Sequence, residues 1–155
     1  MVDERDGTRD GEVIAVSTSE SCTEPKQNRG TGRLIAGYGV DGDSHAGLSE
    51  REVSMLGVEA IRKLNLEHDA GAVPGSFAEN ITTIGIDLPD LPIGQRLRVG
   101  QALLEVVQIG KPLDEAHTYS FKGFSLLPTQ GIFCRIVESG DVAQGDGIYL
   151  VPAGQ

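Results

Sequence analysis

A chain of 155 residues, 39% of them apolar, is long enough to bury one core and leaves little room for a second domain. Its 13 basic and 23 acidic residues give a formal charge of −10, it has no Trp, and no segment is rich in both Lys/Arg and aromatics. Nucleic acid and anionic membranes need a basic face and are therefore poor partners, although total charge does not exclude a local basic pocket.

The first residues, Met-Val-Asp-Glu-Arg-Asp-Gly-Thr-Arg-Asp-Gly, contain no apolar region that would serve as a signal peptide. Residues 1–11 read as a disordered tail and 12–152 as the domain. No stretch approaches the ~20 consecutive apolar residues of a membrane span. Glu12–Ser17 reads as the first strand, and residues 19–32, with Pro25, Gly30 and Gly32, as a polar loop. That loop carries Cys22. The other cysteine, Cys134, is far away in sequence, so no short-spaced thiol motif exists and reduced thiols in a cytoplasm are the expectation.

Gly32–Tyr38 is a candidate strand. Val53, Leu56, Ala60, Ile61 and Leu64 recur at helical spacing and predict a helix over 53–66. Ile81–Ile86 and Arg96–Val99 read as short strands. Between them Leu88-Pro89-Asp90-Leu91-Pro92 is rich in turn residues. Ala102–Ile109 is a longer, nearly continuous apolar run of the kind buried strands carry. Gly131–Val137 is another strand, and Gly145-Asp146-Gly147 turns into a last one, Ile148–Val151. Short apolar runs separated by many of the 21 glycines predict a mainly β fold, a closed or nearly closed barrel with one or two short helices.

Four stretches in order carry a family resemblance. They are Gly39-Val40-Asp41-Gly42-Asp43-Ser44-His45-Ala46-Gly47, then Arg51-Glu52-Val53-Ser54-Met55-Leu56, then Gly75-Ser76-Phe77-Ala78-Glu79-Asn80-Ile81-Thr82, and finally Gly131-Ile132-Phe133-Cys134-Arg135-Ile136-Val137 with Gly145-Asp146 following. Together they resemble the MOSC domain, named for the C-terminus of molybdenum cofactor sulfurases, over about Gly11 to Val151. The resemblance implies a compact β-barrel linked to molybdenum cofactor chemistry. Relatives are thought to carry sulfur on a cysteine, or to hold the pterin cofactor for reduction of N-hydroxylated compounds.

The family cysteine usually follows the long strand, just after a Gly-Lys-like turn. Here the run Gln108-Ile109-Gly110-Lys111-Pro112-Leu113-Asp114-Glu115-Ala116-His117 places Leu113 near that position. A leucine forms neither a persulfide nor a metal thiolate, which puts direct sulfur carriage in doubt. Cys134 and Cys22 are the substitute thiols. Ile132, Cys134 and Ile136 alternate on one strand face, so Cys134 also reads as a small core residue. Cys22 reads equally as a plain loop cysteine, whose pKa Lys26 and Arg29 would lower if the loop folds over the cleft. Asp114 and His117 can move protons but carry no sulfane sulfur.

Asp41, Asp43 and His45 alternate by two. On an extended segment they would offer a divalent metal oxygen and nitrogen ligands. The glycines at 39, 42 and 47 argue instead for a looped backbone, either a structural turn or a pocket wall. The resemblance puts this motif in the cleft wall and an arginine at Arg51, whose planar fork suits phosphate or carboxylate; an ion pair with Glu50 or Glu52 is the alternative. Asn80 would meet a ligand or tie down the loop from Gly75. Lys111 would meet a pterin phosphate or remain solvated.

The resulting expectation is a cleft lined by Asp43, His45, Arg51, Asn80 and Lys111 that binds a molybdopterin-type or similar small anion. A sulfur-mobilising or molybdenum-cofactor enzyme is the implied partner. No lysine motif points to directly bound pyridoxal phosphate, which would belong to such a partner's pathway. The second expectation is a non-catalytic accessory module that has kept the barrel and lost the chemistry.

Overall fold

In the computed structural model, the residues described are 8–21, 25–111 and 120–152. The chain forms eleven strands and two helices. Seven strands close into a barrel. Around it run β1 (Gly11–Thr18), β11 (Gly147–Val151), β7 (Arg96–Val99), β8 (Ala102–Ile109), β9 (Ile132–Glu138), β5 (Val53–Gly57) and β6 (Ile81–Ile84), with β6 pairing back onto β1. The short β2 (Gln27–Asn28) extends β1. A separate three-stranded sheet joins β10 (Gly140–Ala143), β3 (Thr31–Ile35) and β4 (Gly39–Val40). Closure removes the exposed edges that an open seven-stranded sheet would present.

Alternation fills the interior. Leu97 and Val99 of β7, Leu104 and Val106 of β8, and Ile132, Cys134 and Ile136 of β9 all point inward and are buried in one cluster. The expectation for Cys134's strand face is met: its Sγ lies 3.8 Å from the Met55 sulfur in that core. Two register shifts between β8 and β9, one between Val106 and Gln108, turn Val107 outward. It packs there against a second cluster of Leu56, Ile61, Leu64, Phe77, Leu127 and Phe133.

The helix predicted over 53–66 is in fact two elements. Val53–Gly57 is β5, hydrogen-bonded between β6 and β9, and only Val58–His68 is helical, as α1. The apolar spacing misleads because β5 is buried on both faces. Val53 and Met55 fill the barrel, while Leu56 faces the outer cluster beside Ile61 and Leu64 of α1. A short run buried on both sides has no diagnostic period. The second helix, α2 (Leu127–Gln130), is a single turn. The expected strand over 32–38 ends at Ile35, and the polar loop over 19–32 contains β2 and the start of β3. Of the expected tail, residues 1–7 lie outside the described residues, while Asp10 and Gly11 are tied to the barrel. Gly11 opens β1, the Asp10 N–H donates to the Ile148 carbonyl, and the Asp10 carboxylate accepts from the Leu150 N–H.

The barrel places three chain segments at one mouth. The β1–β2 connection brings in Lys26, the turn-rich link from β4 to β5 brings in Asp43, His45 and Arg51, and the exit from β8 brings in Lys111. Gly110 fixes the last of these. Its φ is +65°, and an added Cβ would run into the Pro128 carbonyl, so only glycine makes the turn. Gly110→Ala is therefore expected to destabilise the fold by about 1–3 kcal/mol, measured by denaturant unfolding. Unchanged stability would mean the turn relaxes freely and does not hold Lys111.

Candidate functional site

The site grows from a buried lysine. The Lys26 and Asp43 side chains are each 1% exposed and joined by Nζ–Oδ1 and Nζ–Oδ2 contacts of 2.8 and 3.1 Å. Loop and cradle are matched. The Lys26 N–H donates to the Gly75 carbonyl, and a Cβ on Gly75, whose φ is +94°, would collide with the Lys26 carbonyl. A side chain at residue 75 would thus push the lysine out of its place.

Asp43 is heavily supported. It accepts from the Ser19 N–H at 3.0 Å and from the Asn80 amide at 3.2 Å, besides Lys26. Burial pushes its carboxyl pKa up, but the hydrogen bond and charge of Lys26, the Ser19 N–H and the Asn80 amide outweigh it and hold the group below its ordinary value. Asn80 is spent on the same task. Its amide nitrogen donates to the Ser17 carbonyl and Asp43, and its oxygen accepts from the Ser54 N–H and hydroxyl. Of the two alternatives for Asn80, tying down the loop from Gly75 accounts for all four of these bonds.

Neighbouring Glu79 is fully buried. It accepts from the Gly75 and Phe77 N–H groups and from the Thr82 hydroxyl, and burial raises its pKa. It staples the 75–82 loop that holds Lys26.

His45 stands at the outer side of this support, with its side chain 41% exposed. Its Nδ1 lies 2.8 Å from Lys26 Nζ. Burial and the positive charges of Lys26, Lys111 and Arg51 lower its pKa, against a smaller opposite pull from Asp43. Arg51 and Lys111 meet at Phe133, their cationic groups 5.4 and 5.9 Å from its ring centroid. Phe133 is on the outer face of β9, between β5 and β8 in the register. Of the expected ion-pair partners of Arg51, Glu52 turns inward instead and accepts the Ile136 N–H at 2.7 Å. The result is a guanidinium and an ammonium set on one aromatic ring, with an imidazole within their electrostatic reach, in a chain of charge −10.

Four of the five expected cleft residues, Asp43, His45, Arg51 and Lys111, act electrostatically on this one place, and the fifth, Asn80, supports it. Asp41 does not join them: it is exposed, and its N–H closes a turn onto Arg33. Among the described residues no group of three His, Cys, Asp or Glu side chains could hold a metal ion, so the alternating trio forms no such site. The backbone between Val40 and Arg51 is turns, which is why the period-two face does not exist. Cys22, Leu113, Asp114 and His117 lie outside the described residues. Cys134 lies far from solvent in the barrel, where burial and then the Glu105 charge push its thiol pKa up. The sequence reading missed Lys26 as the centre of the site. A lone lysine in a polar loop has no pattern, and only the distant Asp43 marks it.

The family model for the MOSC domain matches residues 41–149. The chain belongs to the MOSC domain family. Solved structures agree on the fold. The YuaD protein from Bacillus subtilis superposes with a TM-score of 0.69 at 19% identity, covering 89% of this chain and 93% of its own. YiiM from Escherichia coli gives 0.66 at 22% identity, covering 94% of this chain and 70% of its own, and YiiM from Geobacillus stearothermophilus gives 0.66 at 16%, covering 95% and 76%. No curated protein sequence matches the chain. In this MOSC domain no described helix is long and apolar enough to cross a membrane.

The buried pair sets a pH expectation. Asp43 has a folded pKa below its unfolded value near 3.8, so its contribution is present above that value and is lost as pH falls through the folded one. Asp43→Asn removes that acid-dependent part and leaves Lys26 buried without its counter-charge. A loss of about 3–5 kcal/mol near neutral pH is expected in urea unfolding. A loss under 1 kcal/mol, of the order of an exposed pair, would refute the central place given to this pair.

Proposed function

We propose that this MOSC domain binds a small anionic ligand of the molybdopterin type on the surface formed by His45, Arg51 and Lys111. The observation that carries the reading is that Arg51 and Lys111 meet at Phe133, close enough to His45 for both charges to act on its ring, in an otherwise acidic chain. A guanidinium and an ammonium give a terminal phosphate both a planar fork and a point charge. These donors fit the phosphate end of a pterin cofactor, whose molybdenum supplies redox or sulfur chemistry when bound. The described part of the surface offers no thiolate to the metal.

A place in molybdenum cofactor or sulfur-transfer metabolism follows from the family's association with that cofactor. A sulfur-mobilising or molybdenum-cofactor enzyme is the partner this reading calls for. Direct sulfur carriage is not part of it. Leu113 stands near the family's cysteine position, and Cys134 is enclosed by the core. The burial of Cys134 favours, as a second reading, an accessory module that holds a ligand without transforming it.

Three experiments test these statements. Native mass spectrometry with elemental analysis, on protein from cells making the cofactor, is expected to show a pterin mass. In solution, Arg51→Ala is expected to weaken pyrophosphate binding roughly tenfold or more, the scale of a lost hydrogen bond to a charged group; equal affinity removes Arg51 from the site. For sulfur, Cys134 is expected to resist thiol reagents until the barrel is unfolded. A sulfur adduct of about +32 Da mapped to Cys134 in folded protein would restore the sulfur-carrier role.

A further inference from the structure

We propose that Lys26 is a positioning residue that holds His45 in its Nε2–H tautomer, so that the ring faces the cleft as a hydrogen-bond donor. What the donor acts on rests on the anion reading above; the tautomer itself does not.

The argument is a count of donors and acceptors. An ammonium donates only, and has three hydrogens. Around Lys26 Nζ stand three acceptors: the Asp43 carboxylate at 2.8 Å, His45 Nδ1 at 2.8 Å and the Ser19 hydroxyl at 3.3 Å. A nitrogen that accepts from an ammonium carries no proton of its own. The proton of the neutral ring is then on Nε2, at the opposite edge from the buried lysine. Asp43 does not compete for Nδ1, because its nearer oxygen is 3.8 Å away. The Ser44 hydroxyl, 3.4 Å from Nδ1, donates to the same lone pair or turns to Ser19 at 3.0 Å. The order is carboxylate, ammonium, imidazole, with the lysine between the other two. A carboxylate directly on Nδ1 would favour a proton there and a cationic ring.

The charged groups facing His45 come from three segments. Lys26 precedes β2, Asp43 and Arg51 lie between β4 and β5, and Lys111 follows β8. Three of the four are positive, and burial acts in the same direction, so the ring's pKa is lowered from the ordinary histidine value of 6.5. Arg51 and Lys111 supply positive charge toward a ligand, while His45 contributes direction. Gly75 and Glu79 matter through the same chain, since they hold the loop that carries Lys26.

The test is long-range proton–nitrogen correlation spectroscopy of the full chain, labelled with nitrogen-15 and titrated from mildly acid to mildly alkaline pH. The chain has three histidines, and His45→Gln identifies the signal. The expected result in the unmodified protein is an Nε2–H ring whose midpoint lies below 6.5, the ordinary histidine value. An Nδ1–H ring, or a cationic ring at neutral pH, overturns the proposal without any need for a lysine variant. Lys26→Met, where it folds, is expected to raise the His45 midpoint, because Asp43 remains and the ammonium is gone; an unmoved midpoint and tautomer overturn the role of Lys26.

Sulfate, whose charge is constant in this range, is the anion probe. Its affinity is expected to change less across the titration in the unmodified protein than in Lys26→Met, where it tightens on acidification roughly fivefold or more. An Nε2–H ring with no sulfate response supports the tautomer assignment and counts against the anion reading alone.

Discussion

The Lys26–Asp43 pair is the constraint on which the rest of the site depends. Neither group can be buried alone, because an unpaired charge in a dry interior costs several kcal/mol, so the two loops that carry them must fold together or not at all. Lys26 comes from the β1–β2 connection and Asp43 from the link between β4 and β5, which the sequence separates by 17 positions. Their contact pins both loops over the mouth of the barrel. Ser19, Asn80 and His45 take up the remaining hydrogen-bonding capacity of the pair. A half-satisfied version of this network would be worse than an apolar one, and that demand gives the cluster its definite geometry.

The barrel and the site share walls. The β9 strand serves both: Ile132, Cys134 and Ile136 fill the interior, while Phe133 between them faces outward to Arg51 and Lys111. The parity of one strand thus decides that the chain's one described thiol is packed away and that an aromatic ring lies under two cations. The same parity operates on β5, where Met55 meets Cys134 inside while Ser54, one residue earlier, meets Asn80 outside. Chemistry on this scaffold belongs to the mouth and its loops, since the interior is closed by aliphatic side chains.

Membership in the MOSC family accounts for the barrel, and the similarity to YuaD and YiiM is one of fold at 16–22% identity. In this chain Arg51 and Lys111 meet over Phe133 while Cys134, the one described thiol, is enclosed by the core. A cationic surface without an accessible described thiol is the common ground between the two functional readings proposed above.

The sequence by itself determined the barrel class, because glycine-bounded apolar runs repeat at strand length. Its motifs also carried the resemblance to the MOSC domain, and that resemblance marked His45, Arg51 and Lys111 as candidates. Arg96–Val99 and Ala102–Ile109 were legible to the residue, since each alternates or runs apolar between glycines. The sequence did not separate β5 from α1, because both faces of Val53–Gly57 are buried and only its neighbours β6 and β9 reveal that it is extended. Nor did it find Lys26, Glu79 or Phe133 as parts of the site. Burial of a charge is a property of what folds over it, and Asp43 and His45, which meet Lys26, lie 17 and 19 residues away on another loop. Local pattern records which side chains a segment offers. Closure of the barrel decided which of them met, because contacts between distant segments are fixed only when the seventh strand pairs with the first.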